Sequence, residues 1–271
     1  EGGNLVEILQ TTDETRIGDG ISKDEPRLMD ASMEAACHSV KRLKMAAESC
    51  GAKLIAVVAT SAVRDAVNRD LFADRLKEAT ETELRILTGR EEAELIGLGI
   101  GCDPVLGSLA DFYVFDLGGG SLEEIKFRAG DIEETVSLPL GSVRLTERFI
   151  QNTEAPLRTR DRTQLEAYAR ETMASSAFAF DLPTEAEVVV TGGTAAVARL
   201  IRETTTPASS SAVLSFEYLN DLLSTLGALP LSERRKFPGL PPERADVYPT
   251  ALATLLAVLG LGKSDHCKQS S

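Results

Sequence analysis

A run of glycines flanked by acids is the strongest chemical signal in this sequence. The run comprises Gly118, Gly119 and Gly120. Asp116 precedes it, and Ser121 and Glu123 follow it. Consecutive N–H groups in such a turn form a nest that binds anions, and carboxylates suit a hard cation such as Mg²⁺. The pattern predicts phosphate on the loop amides and Mg²⁺ on the two acids. A plain glycine hairpin with surface acids is the alternative.

A second glycine turn follows a later apolar strand and precedes a helical pattern. It contains Gly192, Gly193 and Thr194. A helix N-terminus that follows glycines and a hydroxyl group is a ready site for an anion. The alternative is a tight strand–helix turn in which Thr194 caps the helix.

Two further groups follow strand patterns and could take part in phosphate chemistry. Thr60, Ser61 and Arg64 come after an apolar strand, and a guanidinium group donates two parallel hydrogen bonds to phosphate. The acids of the cluster Arg90-Glu91-Glu92-Ala93-Glu94 open a helix, where one of these carboxylates could act as general base toward a water. The alternatives are an arginine on a solvated helix face and acids placed there by the helix dipole.

Composition narrows the class of protein. The 271 residues are 43% hydrophobic and 26% charged, which fits a globular protein of two domains. We expect no membrane span, because there is no apolar run of about 18 residues. A net charge of −13 argues against a DNA-binding protein. Four widely spaced cysteines predict free thiols in a reducing cytoplasm, and two histidines leave little for a zinc site.

Alternating helical and strand patterns predict an α/β fold with neighbouring parallel strands. The main helices are predicted at 27–50, 90–101, 162–180 and 243–261, and the main strands at 5–11, 53–59, 83–87, 112–116 and 187–190. No regular structure is predicted from residue 263 onward. A loop at 104–111 is the expected boundary and hinge between the two domains.

The order of these motifs resembles the exopolyphosphatase / guanosine pentaphosphate phosphohydrolase family, within the superfamily of actin, sugar kinases and heat-shock chaperones. The matching segments are TRIGDGI (15–21), ATSAVRDAVN (59–68), LTGREEAELIGLGI (87–100), FDLGGGSLE (115–123), LPLGSVRLTERF (138–149), VVVTGGTAAVARL (188–200) and ERADVYPTALATL (243–255). The resemblance implies a two-lobed, actin-like (ribonuclease H-like) α/β fold. Its lobes would be 1–111 and 112–271, with the last helix packing back on the first lobe.

The resemblance also implies roles for individual residues. Glu92 matches the general base that activates the attacking water, and Asp116 and Glu123 match acids tied to Mg²⁺ and to that water. The glycine run with Ser121 matches a phosphate loop, and Arg64 with Thr60 and Ser61 matches a substrate-phosphate contact. The turn at 192–194 matches the loop that holds a nucleotide in kinase relatives.

The expected protein is therefore a cytoplasmic, Mg²⁺-dependent hydrolase of the stringent response. It would remove terminal phosphate from inorganic polyphosphate or guanosine pentaphosphate, with K⁺ as an activator, and would form a homodimer. Family members begin with a strand and an Asp-x-Gly-Ser/Thr-Asn phosphate loop, and they continue into a strand with a Gly-Leu-Arg segment. We expect both to be missing, so that the fold is clipped at both ends. An ATP-using phosphotransferase and a non-catalytic polyphosphate or alarmone sensor are the alternatives.

Overall fold

The computed structural model describes residues 7–13, 15–22, 25–103, 106, 109–183, 185–206 and 211–270. The chain divides into two units, Glu1–Thr88 and Gly89–Ser271. The sequence pattern placed this boundary after residue 111. Four residues of the expected hinge loop, 104, 105, 107 and 108, lie outside the described residues.

The first unit contains three helices and two short strands among its described residues. In chain order they are α1 (Asp30–Ser49), β1 (Val57–Ala59), α2 (Ser61–Asp65), α3 (Arg69–Thr80) and β2 (Leu84–Ile86). β1 and β2 pair in parallel, with Val57 opposite Leu84. α1 packs on α3 through a buried stripe that includes Met33 and Cys37, which is the amphipathic pattern expected from the sequence.

One strand prediction in the first unit was too long, and a second does not correspond to a strand in the described residues. β1 covers only the end of the predicted strand 53–59, and Leu54 is 88% exposed. Residues 7–11 form no strand, and Ile8 is exposed. The other two residues of that predicted strand lie outside the described residues. Apolar side chains favour a strand only where a partner covers them, and neither segment is covered.

The second unit is built around a six-stranded sheet. Its elements are α4 (Gly89–Gly101), β3 (Phe112–Leu117), β4 (Leu122–Arg128), β5 (Asp131–Leu138), α5 (Ser142–Phe149), α6 (Thr159–Ala174), β6 (Glu187–Thr191), α7 (Gly193–Thr205), β7 (Val213–Ser215), α8 (Phe216–Ala228), α9 (Leu231–Arg234), a 3₁₀ turn (Pro242–Arg244), α10 (Tyr248–Leu261) and β8 (His266–Gln269). The strand order is β5-β4-β3-β6-β8-β7. β6 lies parallel to β3, whereas β4 and β5 are antiparallel to their neighbours.

Helices on this sheet explain where the boundary falls. α4 packs on β5 and β4 and so belongs to the second unit rather than the first. The apolar helix α10 is buried along nearly its whole length and packs against α5, α6, α7 and α8. It begins at Tyr248, later than the predicted 243, because the prolines at 241–242 set a 3₁₀ turn first. Among the described residues, no helix is both long and apolar enough to span a membrane.

Two predictions in the second unit were wrong. The segment after 263 is not irregular: β8 lies inside the sheet between β6 and β7, and Cys267 is fully buried. The helix predicted to reach 180 ends at Ala174. Phe178 instead packs edge-on against the strand residue Phe115 and Phe180 stacks on it, with ring centroids 6.3 and 6.1 Å away. Packing aromatic rings on the sheet outweighs continuing the helix.

The position of β8 predicts the reactivity of the thiols. Cys50 is exposed, whereas Cys267 is buried, and burial raises the pKa of the Cys267 thiol to about 12. We expect iodoacetamide to alkylate Cys50 rapidly and Cys267 about 100-fold more slowly, because the latter requires the strand to open. Mass spectrometry of native and denatured samples measures both rates. Equal rates in the native protein would show that β8 does not form.

Candidate functional site

Two carboxylates face each other across a strand pair in the second unit. Asp116 near the end of β3 is directly opposite Glu123 near the start of β4 in the antiparallel register, so both side chains emerge on the same face of the sheet. Glu123 is 1% exposed. α4 packs over this part of the sheet and contributes the buried Glu92 from its first turn.

Burial and mutual repulsion dominate the electrostatics of these acids. Burial, and then the charge of Glu92, raise the pKa of the Asp116 carboxyl to about 6. The same two causes raise the pKa of Glu123 to about 7, against an opposing effect of hydrogen bonds from Ser121 and Ser137. The Ser137 hydroxyl donates to Glu123 Oε1 at 2.8 Å. Negative charge is therefore concentrated here without a basic group among the causes of either shift.

This donor set fits a small divalent cation. Mg²⁺ is usually held by one or two carboxylates, and water and substrate oxygens complete its shell. Asp116 and Glu123 supply such a pair, and a cation between them would oppose the burial and the charge of Glu92 that raise their pKa values. In the described part of the chain, no group of three His, Cys, Asp or Glu side chains could hold a metal ion. A two-carboxylate site does not require one.

The glycine turn beside these acids is oriented by the start of α5. The Ser142 N–H donates to the Gly118 carbonyl, and the Val143 N–H donates to the Gly119 carbonyl at 2.9 Å. Arg144 Nε donates to the Gly120 carbonyl at 2.8 Å. In a trans peptide the N–H points opposite to the preceding carbonyl. The amides of Gly119, Gly120 and Ser121 therefore point away from α5.

These amides are available to an anion. The N–H groups of Gly119 and Gly120 donate to no protein acceptor within the described residues. Gly119 is exposed and Gly120 is half-buried, and successive amides directed to one side form the nest predicted from the sequence. Gly141 makes the arrangement possible, because a Cβ atom there would lie 2.3 Å from the Gly119 oxygen.

The second glycine turn lies next to the acids. β6 runs parallel to β3 with Asp116 opposite Thr191, so the turn after β6 begins where β3 ends. Gly192 has φ +84°, and a Cβ atom there would lie 2.5 Å from Asp116 Oδ1. Only glycine fits this backbone and this close approach. The structure thus brings both predicted loops and the acids of β3 and β4 together at one edge of the sheet.

Sequence reasoning missed one basic residue at this edge. The Arg244 guanidinium lies directly against Gly193, where an added Cβ atom would be 2.8 Å from its central carbon. The buried Tyr248 hydroxyl donates to the Thr194 carbonyl at 3.0 Å, which ties the same turn to α10. Arg244 lies in the ERADV motif at 243–247, which matches the family. Local sequence does not reveal that its side chain reaches a turn some fifty residues earlier.

The remaining predicted phosphate ligands lie in the first unit. Thr60 precedes α2 without capping it through its side chain, and Ser61 is buried. Arg64 Nη1 donates to the Leu87 carbonyl at 3.0 Å. The guanidinium is thus oriented by the strand end of its own unit, and its contact with substrate phosphate stays a prediction.

Comparison with known proteins identifies the family of this chain. The sequence profile of the Ppx/GppA phosphatase family matches residues 1–267. The chain belongs to the Ppx/GppA phosphatase family. The family predicted from the sequence motifs is therefore confirmed.

Curated relatives of this Ppx/GppA chain are similar over about half of its length. Exopolyphosphatase 2 of Mycobacterium tuberculosis is 36% identical over 163 residues, covering 55% of this chain and 48% of the relative. The bifunctional 3-dehydroquinate synthase/phosphatase of Fusobacterium nucleatum is 30% identical over 148 residues, covering 54% of this chain and 22% of the relative. The chain spans less than half the length of these two relatives.

Solved structures confirm the α/β fold of this Ppx/GppA chain. An exopolyphosphatase from Cytophaga hutchinsonii superposes with a TM-score of 0.84 at 24% identity, covering 94% of this chain and 82% of that one. The Aquifex aeolicus member of the Ppx/GppA family gives a TM-score of 0.72 at 22% identity, covering 95% and 82%. At this level of identity the likeness concerns the fold alone.

Replacing Gly141 tests the buttress of the glycine turn. We expect Gly141→Ala to destabilise the protein by about 2 kcal/mol, because the new methyl group overlaps the Gly119 peptide. Urea denaturation measures the change. Gly99→Ala is the matched control: its Cβ atom meets nothing within 4 Å, so the added methyl should stabilise α4 by about 0.5–1 kcal/mol. An unchanged midpoint for Gly141→Ala would contradict the close packing.

The raised pKa values predict a pH dependence of stability in the metal-free protein. A carboxyl with a higher pKa in the folded state stabilises the fold at low pH and loses that contribution as pH rises through the folded pKa. For Asp116 and Glu123 the loss runs from about pH 4 to about pH 7. Glu92→Gln should make the fall in melting temperature smaller, since the charge of Glu92 contributes to both shifts.

The control for this titration is Glu94→Gln in the same helix, because Glu94 pairs with Arg90 rather than with the strand acids. Melting curves in EDTA, recorded for the three proteins across this pH range, give the comparison. Parallel curves for wild type and Glu92→Gln would mean that Glu92 does not act on the pair.

Proposed function

We propose that this protein is a Mg²⁺-dependent phosphohydrolase that removes terminal phosphate from inorganic polyphosphate, guanosine pentaphosphate or both. The observation that carries the proposal is the edge of the sheet where Asp116 and Glu123 lie beside a turn with free amides. An acid pair suited to a cation next to an anion nest is the combination that phosphoryl transfer requires. Relatives named exopolyphosphatases support the substrate class.

In the proposed reaction Glu92 takes a proton from a water that attacks the terminal phosphorus in line. The bond from this phosphorus to the bridging oxygen breaks, and the shortened substrate leaves with the electron pair on that oxygen. The amides of Gly119, Gly120 and Ser121 donate to the equatorial oxygens, on which negative charge is concentrated in the transition state. Asp116 and Glu123 would hold Mg²⁺, which when bound neutralises charge on the phosphate oxygens. Ser137 keeps Glu123 oriented through its hydrogen bond.

The second turn would hold the rest of the phosphate chain. Gly192, Gly193 and Thr194 open α7, and Arg244 places a fixed positive charge on this turn. Thr60, Ser61 and Arg64 match a substrate-phosphate contact of the family, and we propose that role for them. Such local positive charge offsets the net charge of −13, which otherwise repels a polyanion.

The ATP-using phosphotransferase is the second candidate, because the turn at 192–194 matches a nucleotide loop in kinase relatives. Arg244 covers Gly193 in that turn, and this favours a phosphate chain there over a nucleoside. Formation of ADP with an acceptor would identify the phosphotransferase, whereas the hydrolase needs water alone. Phosphate binding without turnover would identify a sensor. Activation by K⁺, a homodimer and a cytoplasmic location complete the proposal.

Glu92→Gln tests the assignment of the base. We expect phosphate release from polyphosphate by the full-length protein to fall by about 1,000-fold, because the attacking water loses its proton acceptor. Binding of tripolyphosphate, followed by calorimetry, should change less than about twofold. Assays with polyphosphate and guanosine pentaphosphate in parallel, with Mg²⁺ and K⁺ varied, define the substrate and the ion requirement.

Glu94→Gln on the solvent side of α4 serves as the control and should retain wild-type turnover. Near-wild-type turnover of Glu92→Gln would refute the role of Glu92. Absence of phosphate release by the wild type from both substrates would refute the hydrolase.

A further inference from the structure

A buried arginine joins two loops behind the site. Arg234 ends the short helix α9 and is 3% exposed. Its Nη1 donates to the Ala245 carbonyl at 2.9 Å. Its Nη2 donates to the carbonyls of Thr153 and Ala155 at 2.6 and 3.2 Å. One guanidinium group therefore fixes the segment around 245 to the loop at 153–155.

Burying the Arg234 guanidinium costs free energy of desolvation. Burial lowers the pKa of Arg234, opposed by the charges of Asp246 and Glu154. Its Nε has no hydrogen-bond partner within the described residues. Apolar side chains of similar volume often replace a buried charge without loss of stability. The feature that an apolar side chain could not supply is the fork of donors that sets the position of the Ala245 carbonyl.

The position of Ala245 matters because its neighbours reach the second glycine turn. Arg244, one residue before, lies against Gly193. Tyr248, three residues after, donates to the Thr194 carbonyl. Ala245 itself is fully buried. The carbonyl held by Arg234 is thus next to the residue that carries positive charge to the turn.

We propose that Arg234 is a positioning residue for substrate binding, which acts by holding Ala245 so that the Arg244 guanidinium stays over the turn at 192–194. The inference rests on the proposed function, because Arg244 is assigned there to the phosphate chain. Arg234 contacts no substrate. Loss of Arg234 releases the segment 244–246 and weakens binding of the phosphate chain. The acids and the amide nest of the first turn stay in place.

Arg234→Lys tests this in the full-length protein, since lysine keeps the charge but loses the planar fork. We expect KM for polyphosphate to rise about tenfold while kcat changes less than about twofold, the signature of lost uniform binding. Calorimetry with tripolyphosphate should show a similar loss of affinity without turnover. Leu231→Val in the same short helix is the control. It loses buried volume but no carbonyl contact, so its melting temperature falls while KM is unchanged.

A double-mutant cycle separates positioning from general destabilisation. Arg244→Ala alone should raise KM about tenfold, and adding Arg234→Lys should change it less than a further twofold, because coupled residues are not additive. Independent, multiplying effects would overturn the proposal, as would an unchanged KM in Arg234→Lys. If Arg234→Lys does not fold, Arg234→Gln replaces it. Independently, an unchanged KM and an unchanged tripolyphosphate affinity in Arg244→Ala would overturn the proposal.

The same experiments separate the two proposals. Suppose that the wild type releases no phosphate but binds tripolyphosphate, and that Arg234→Lys weakens this binding. That result would refute the hydrolase and support the positioning role. Hydrolysis by the wild type with unaltered KM and binding in Arg234→Lys would do the reverse.

Discussion

The antiparallel register that sets Asp116 opposite Glu123 is the constraint on which the rest of the site depends. The pKa is raised to about 6 for Asp116 and to about 7 for Glu123, so ionising either one in the folded protein costs on the order of 3 kcal/mol. Packing of the apolar residues that flank the pair on β3 and β4 must offset this free energy. A bound cation would lower the free energy of the ionised carboxylates.

The two faces of β4 carry different groups of charged side chains. Glu123 points toward α4, whereas the next residue, Glu124, is buried on the opposite face, where burial raises its pKa to about 8. Lys126 follows on that same face and pairs with Glu134 and Asp181. Alternation along one strand therefore places the Glu123 carboxyl of the candidate site on one face and the ion pairs of Lys126 on the other.

Local signals in the sequence predicted the glycine turns and the acids that the structure brings together, whereas their roles stay a prediction. Glycines and acids at fixed spacing predicted both turns. The structure requires glycine at Gly192, where φ is positive, and at Gly141, which lies close to the first turn. Arg234 and Arg244 escaped prediction, since their roles depend on contacts with distant segments that no local pattern records. β8 escaped for the same reason: the sequence HCKQ has no strand periodicity, and its partners on both sides create the strand.

The insertion of β8 between β6 and β7 has a consequence for folding kinetics. The strand that leads into the second glycine turn, β6, gains its neighbour on one side only when residues 266–269 dock beside it. Pairing between segments so far apart in the chain is slow compared with helix formation. During synthesis on the ribosome, the edge that carries Gly192 and Arg244 would therefore be assembled only after this late segment has emerged, so that the turn at 192–194 stays incomplete in the nascent chain until then.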